Sequence, residues 1–327
     1  MNEVLIAVDL GGTRIRAARL SSIFDIQLRR EILTEANKGL ESTLSRMKDL
    51  VRSVWPDDDS KVVGIGISSP GPLNPNTGVI VMAANLPGWH NVPLAQILQD
   101  EFEVPVYLGN DANVAALAET VLGAAKGFRH VIYITVSTGI GTGMIIDGKM
   151  LLGAAGLGAE GGHIIMIAGD KVSSLELETA GPALAQRARR QIEAGATTAI
   201  TEMVKGDLSQ ISGAVVGQAA QQGDKLAQEV VQYAGRVLGL GMVTFLHLFN
   251  PEMVVIGGSV AMNLGEMLFA PMRAAIQQHT QDDSYWRELR IEPAALGDNV
   301  GIFGAASLVA TEGGHMDVAE TAARLGH

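Results

Sequence analysis

Apolar residues along this chain fall into two rhythms. Short continuous runs, VLIAV at 4–8, VVGIGI at 62–67, VIYITV at 131–136 and MVVI at 253–256, read as strands buried on both faces. Elsewhere the apolar positions recur at helical spacing. Leu44, Met47, Leu50, Val51 and Val54 make one stripe of a helix over 41–54, ended by Trp55–Pro56 and an acidic run at 57–59. The same reading predicts helices over 94–101, 174–190, 199–206, 211–222, 225–248, 265–278 and 301–311. It adds strands at 104–108 and 289–293. SSPGPLNPNTG at 68–78 and NLPGWHNVP at 85–93 are loops. Strands alternate with helices throughout, which is the signature of an α/β fold with at least partly parallel sheets.

Glycine punctuates three of the strand ends: DLGGT at 9–13, STGIGTG at 137–143 and IGGSV at 256–260. The first two share a form, an apolar strand, a turn carrying Gly and Thr, and a returning strand. Such a repeat predicts two related α/β domains facing each other across a central cleft. The expected division is 1–112, joined by the C-terminal helix at about 301–327, and a larger domain over 113–300. GNDANVAALAE places Asn110 and Asp111 where a strand ends and a helix begins. Asp caps helices there, and open α/β sheets bind ligands at the same carboxyl ends. The two roles are compatible. EGGH puts Glu160 and His163 in a glycine-rich frame shortly after the second turn.

Composition narrows the chemistry. A length of 327 residues fits two domains. Hydrophobic residues make up 47% but aromatics only 4%, so the core rests on aliphatic side chains. A net charge of −11 argues against nucleic acid as a partner but leaves nucleotides open, because glycine loops and Mg²⁺ hold phosphate without a basic patch. The absence of cysteine removes disulfides, thiolate zinc sites and cysteine nucleophiles together, and suits a reducing cytoplasm. No basic region precedes the first apolar run, so no signal peptide is expected. The most apolar segment, 237–249, is shorter than the roughly 20 residues a bilayer requires, which predicts a soluble protein without a membrane partner.

Taken together, DLGGT, NLPGWHNVPL, GNDANVAALAE, STGIGTG, EGGH, NPEMVVIGG and LGDNVGIFGAA resemble, in order, the blocks of the ROK family of sugar kinases and related repressors. The likeness runs over about 4–310. It implies the actin-like/hexokinase-type ATPase fold and transfer of the γ-phosphoryl of Mg-ATP to a sugar hydroxyl. By that resemblance Asp111 is the general base that takes the hydroxyl proton. Gly11, Gly12 and Thr13 match one phosphate loop, with Asp9 reaching Mg²⁺ through water. Thr138, Gly139, Gly141 and Thr142 match the other, and Gly257 and Gly258 match a turn beside adenosine. The sugar would be met by Asn85, Asn110, Asp111, Glu160, His163 and Glu176.

Glucokinase acting at the 6-hydroxyl is the leading assignment, a cytoplasmic homodimer of carbohydrate metabolism and glycolysis. Other hexose kinases, including those for N-acetylmannosamine and N-acetylglucosamine, share the same residues. A non-enzymatic sugar-binding regulator is the alternative from another class; the first loop begins at Asp9, and no DNA-binding segment is expected before it. The resemblance also implies that the two domains close on the sugar and exclude water. Three departures stand out. IIMIAGDKVSSL at 164–175 occupies the place of the family's cysteine zinc motif, so no structural zinc is expected. Arg14 replaces a common Lys, and Ala180 stands where LELETAG usually ends in Ser-Gly. The tail beyond 310 suggests a short amphipathic stretch, with His315 and His327 at the surface.

Overall fold

The structure, a computed structural model, describes residues 2–83 and 85–324; His327 lies outside the described residues. The chain forms two compact units, one of Met1–Tyr133, Gly143–Ala159 and Ala294–His327, the other of Ile134–Thr142 and Glu160–Pro293.

The chain opens with β1 (Glu3–Leu10), β2 (Arg14–Ser21) and β3 (Ile26–Leu33), then α1 (Leu40–Val54) and β4 (Lys61–Ser69). Three short strands follow, β5 (Leu73–Asn74), β6 (Val79–Met82) and β7 (His90–Val92), then α2 (Leu94–Phe102), β8 (Val106–Asn110) and α3 (Asp111–Val121). The main sheet has the order β3-β2-β1-β4-β8. β1 and β2 are antiparallel, with Asp9 opposite Arg16. β4 runs parallel to β1, and β8 parallel to β4. Register then brings chemistry to one edge: Asp9 lies beside Ser68, and Ser69 beside Asn110.

Alternation decides which side of β1 meets what. Val4, Ile6 and Val8 join Leu44, Met47, Leu50, Val51 and Val54 of α1 in one apolar cluster, so the helical stripe read from sequence faces this sheet.

β9 (Val131–Val136), β10 (Ile140–Ile146) and β11 (Lys149–Met150) come next. The hairpin β12 (Ile165–Ala168) and β13 (Lys171–Ser174) precedes α4 (Leu175–Thr179), α5 (Gly181–Glu193), α6 (Ala199–Met203), α7 (Gly213–Gln221) and α8 (Lys225–Phe249). The chain ends with β14 (Met253–Gly257), α9 (Ser259–Leu264), α10 (Glu266–His279), β15 (Arg290–Pro293), α11 (Val300–Ala310) and α12 (Val318–Arg324). A second five-stranded sheet has the order β11-β10-β9-β14-β15. α8 starts on an Asp224 carboxylate that accepts the Ala227 amide at 2.8 Å and stops at Asn250 in the left-handed region. A Cβ on Gly235 would lie 2.5 Å from the Leu268 carbonyl, and one on Gly239 2.4 Å from that of Met272, so these glycines let α10 lie directly against α8.

α11 belongs to the first unit and packs on β1, β4, β8 and α3. A Cβ on Gly66 of β4 would stand 1.7 Å from the Ala305 carbonyl, a separation only glycine allows. Glu119, fully buried, fixes the segment before α11: its carboxylate accepts the amides of Ala295 at 2.9 Å, Leu296 at 3.0 Å and Ala124 at 2.8 Å. Three backbone donors satisfy a carboxyl group that would otherwise be costly to bury.

Some expectations need correction. The helix read over 174–190 is two helices. Ala180 is extended, and the Gly181 amide donates to the Ser137 carbonyl at 2.8 Å instead of to its own helix. The 68–78 and 85–93 loops contain β5 and β7 and pair with β6 as a small antiparallel sheet. β8 begins and ends two residues later than the strand read at 104–108, which carries it through Asn110. Among the described residues no helix is long and apolar enough to cross a membrane.

Candidate active site

In the first unit the polar residues collect where β1, β4 and β8 end. The β1–β2 turn is held by the Gly11 amide on the Arg14 carbonyl at 2.9 Å, and by the Thr34 hydroxyl on the Gly11 carbonyl at 2.6 Å. A Cβ on Gly12 would come 2.8 Å from the Asn85 Cβ, so Asn85, exposed, lies against the first glycine turn. Thr13 is exposed at its tip. Asp9, half-buried, is bonded by Arg16 Nη1 at 3.2 Å, and Arg16 Nε in turn bonds Glu31 at 2.8 Å. Burial pushes the Asp9 carboxyl above its usual range, while the charge and hydrogen bond of Arg16, the charge of Arg29 and a bond from Ser68 pull it back only in part.

The helix cap expected of Asp111 is taken by its neighbour. Asn110 is the N-cap of α3, its Oδ1 accepting the Ala112 amide at 3.1 Å. Asp111 is the first residue of the helix, exposed, with Oδ1 2.8 Å from the same amide. The carboxylate therefore sits at the positive end of α3, on a rigid junction of strand and helix. Asn110 also touches the loop after β4, since a Cβ on Gly71 would meet its Nδ2 at 2.8 Å.

The second unit holds the other glycine turn. Ser137 donates its amide to the Gly139 carbonyl at 2.9 Å, and its hydroxyl lies 3.0 Å from that of Ser259, just after the turn that follows β14. Thr138 is exposed, and Gly141 is part of β10. Gly257 ends β14, and Gly258 (φ 91°) presses on β9, where a Cβ would stand 2.4 Å from the Val136 carbonyl. Glu176 reaches this loop directly. Its Oε2 accepts the Ile140 amide at 2.8 Å and faces Gly139, whose Cβ would approach it to 2.6 Å.

Thr142 is buried, and its hydroxyl accepts the Gly161 amide at 2.6 Å. That bond, with the packing of Gly161 on Phe245 and of Gly162 on the Ile140 carbonyl, fixes the short 3-10 turn from which Glu160 and His163 project, both exposed. The residues of the second glycine turn and the EGGH pair are thus parts of one hydrogen-bonded assembly.

Beside that assembly lies a cavity of about 860 Å³, bordered by Ser137 and Thr138, the start of α5, and α7 and α9. Its walls mix small apolar residues with the polar Gln186, Gln218, Gln221 and Asn263, and carry Glu176 and Arg189 as charged groups. Apart from Thr138 and Glu176, these wall residues escaped the sequence reading, as did Arg16. Arg16 had a signal, since in a hairpin built on DLGGT it falls opposite Asp9. The cavity wall had none, because it joins segments far apart in the chain. Among the described residues no group of three or more His, Cys, Asp or Glu side chains could hold a metal ion. The stretch in place of the cysteine motif is the β12–β13 hairpin, with Ile165, Ile167 and Val172 largely exposed.

A model of the ROK family matches residues 5–312. The glucokinase of Thermotoga maritima is 32% identical over 323 residues, covering 93% of this chain and 96% of that protein. The xylose repressor of Caldicellulosiruptor bescii is 29% identical over 317 residues, covering 94% of this chain and 78% of that protein. Among solved structures, a ROK family glucokinase from Streptomyces griseus in complex with glucose and AMPPNP superposes with a TM-score of 0.74 at 28% identity, over 93% of this chain and 98% of that one.

Proposed function

This chain belongs to the ROK family, and on that premise we propose that it is an ATP-dependent hexose kinase, a glucokinase that phosphorylates the 6-hydroxyl of glucose. The observation that carries the reading is the turn at 137–143 opening onto a cavity of about 860 Å³, within the size usual for small-molecule sites. Walls of small apolar and amide side chains suit a nucleoside, and a glycine turn beside them suits its phosphates. The similarity to glucokinases supports the same substrate pair.

Each residue then has a task. Asp111 accepts the proton of the attacking hydroxyl, a poor nucleophile at neutral pH. Its place at the start of α3 holds it without a mobile loop. Asn85, Asn110, Glu160 and His163 bond the sugar hydroxyls. Thr138 and the amides of the 139–141 turn hold transferring phosphate oxygens, and Glu176 keeps that turn in shape through the Ile140 amide. Gly257 and Gly258 let the adenosine approach backbone.

Mg²⁺ fits this donor set. It retains several waters and takes one or two carboxylates plus phosphate oxygens, so it needs no protein cage. Asp9, with Ser68 beside it, would hold it through water, and the ion would neutralise phosphate charge. We take the enzyme to be a cytoplasmic homodimer of sugar catabolism working without zinc, which sedimentation and metal analysis would check.

A coupled ADP-release assay with Mg-ATP over a panel of hexoses and N-acetylhexosamines tests the reading. Turnover is expected on glucose, and Asp111→Asn should lower kcat by about 10²–10⁴-fold while still binding sugar. Turnover confined to an N-acetylhexosamine would move the substrate within the class. Silence on every sugar, with binding still seen by calorimetry, would favour a non-enzymatic sugar binder, like the repressors the family also contains.

A further inference from the structure

α5 is a partition between two cavities. Ala185 and Arg189, at helical spacing, border the cavity described above, and Gln186 borders both. The adjacent stripe presents Arg187 and Arg190 to a second cavity of about 550 Å³, closed by Lys171 and Ser173 of the β12–β13 hairpin, Glu178 of α4 and Tyr233 of α8. Nothing in the proposed kinase reaction uses this second space.

Its charges are unequal. Glu178 is the carboxylate among those groups, and it is fully engaged: the Ser173 hydroxyl donates to it at 2.7 Å, the Tyr233 hydroxyl at 2.8 Å and Arg187 Nη2 at 3.2 Å. Burial pushes its carboxyl up, but these bonds outweigh the effect and leave it below the ordinary carboxylate range, hence ionised. The guanidinium of Arg187 is further fixed over the Tyr233 ring, 3.2 Å from its centroid. Lys171 and Arg190 also face the cavity, and among the described residues neither side chain has a hydrogen-bond or ion-pair partner. One cation is balanced and locked in place while two are unbalanced, in a chain of net charge −11.

We infer that this cavity is a second ligand site, for the phosphate monoester of a small metabolite. A dianion matches the two unbalanced cations, and the locked Arg187 supplies a preorganised donor with N–H groups to spare. The volume fits a small molecule, and the acidic whole disfavours a polyanionic chain. Tyr233 and the exposed Val172 give the ester's carbon skeleton something apolar to rest on. The site stands apart from the kinase reading, because it requires no turnover.

The test is calorimetric titration of the full chain with glycerol 3-phosphate and with inorganic phosphate, with glycerol as the uncharged control. Glycerol 3-phosphate is chosen because it is neither sugar nor nucleotide. It should bind with a Kd of about 1 mM or tighter and weaken with added salt, while glycerol shows no heat. Lys171→Glu with Arg190→Glu should weaken it by at least about tenfold. Arg190→Lys should keep most of the affinity. Both substituted side chains are exposed, so the melting temperature and the kinase turnover should be unchanged. No binding to the native chain up to about ten times that concentration, or equal binding by the charge-reversed variant, overturns the proposal. The second result would place the anion at the glycine turns instead.

Discussion

The two glycine turns use one backbone device to opposite electrostatic ends. Each follows an apolar strand, reverses the chain by a short internal hydrogen bond and returns along the neighbouring strand. Around the turn at 9–13 the side chains are ionic: Asp9 is bound by Arg16, which also holds Glu31. Around the turn at 137–143 the nearest groups are hydroxyls, one carboxylate that grips a backbone amide, and a cavity of small apolar and amide side chains with Arg189 on its wall. Glycine sets where the backbone goes in both places. The flanking residues decide whether the turn sits among ion pairs or opens onto a cavity.

The largest expected effect tests the ionic turn. Asp9→Asn should lower kcat with Mg-ATP by about 10²-fold or more, an effect of the size that removing one stabilising group from a charged transition state produces. A kcat within a factor of a few of the native value would reduce the first turn to a chain reversal and end the contrast. The second turn should respond in binding. Gly139→Ala puts a methyl 2.6 Å from Glu176 Oε2 and displaces the carboxylate from the Ile140 amide. The KM for ATP should rise by about tenfold, the order expected for losing one charged hydrogen bond. Combining it with Glu176→Ala should add little, since both break one contact; full additivity of the two would sever the link between carboxylate and turn.

The smallest effect is on pH dependence. Asp9 titrates above the ordinary carboxylate value when folded, chiefly because it is buried. Between the unfolded and folded values the native chain keeps a proton the unfolded chain has released, so stability falls as pH rises through that window and is level above it. Asp9→Asn lacks this slope, and the difference in melting temperature between native and variant chains across the acid range should show it. The acid limb of kcat/KM should likewise lie above the ordinary Asp value. A limb at that value would mean the ionic turn does not desolvate its carboxylate.

Where burial was one-sided or complete, the sequence was readable. The α1 stripe, the β1, β4, β9 and β14 runs and α8 all carry the rhythm their packing demands. β3 does not, since IQLRREIL lies at the edge of its sheet and is mostly exposed on both faces, leaving no pattern to read. The β12–β13 hairpin misleads in the other direction, with isoleucines turned toward solvent. Of the candidate site, Asn110 and Asp111 were legible as a pair, although the capping bond belongs to Asn110. The link from Glu176 to Ile140 was not legible, because it depends on a helix broken at Ala180 by a bond to Ser137. Hydrogen bonds between distant segments leave no periodic trace.

The placement of α11 bears on how the protein comes into being on the ribosome. Gly301, in the first turn of that helix, lies so close to Asp9 that a Cβ would stand 2.7 Å from the carboxylate carbon, and Ala305 covers Gly66. Strands β1 and β4 therefore wait for a helix that is made much later in the chain. At roughly 5–20 residues per second, the delay between the emergence of β8 and that of α11 is on the order of ten seconds or more. During that interval the first sheet has α1 on one face and an apolar surface without its helix on the other. A nascent chain of this design exposes to chaperones the very face that ends up supporting Asp9.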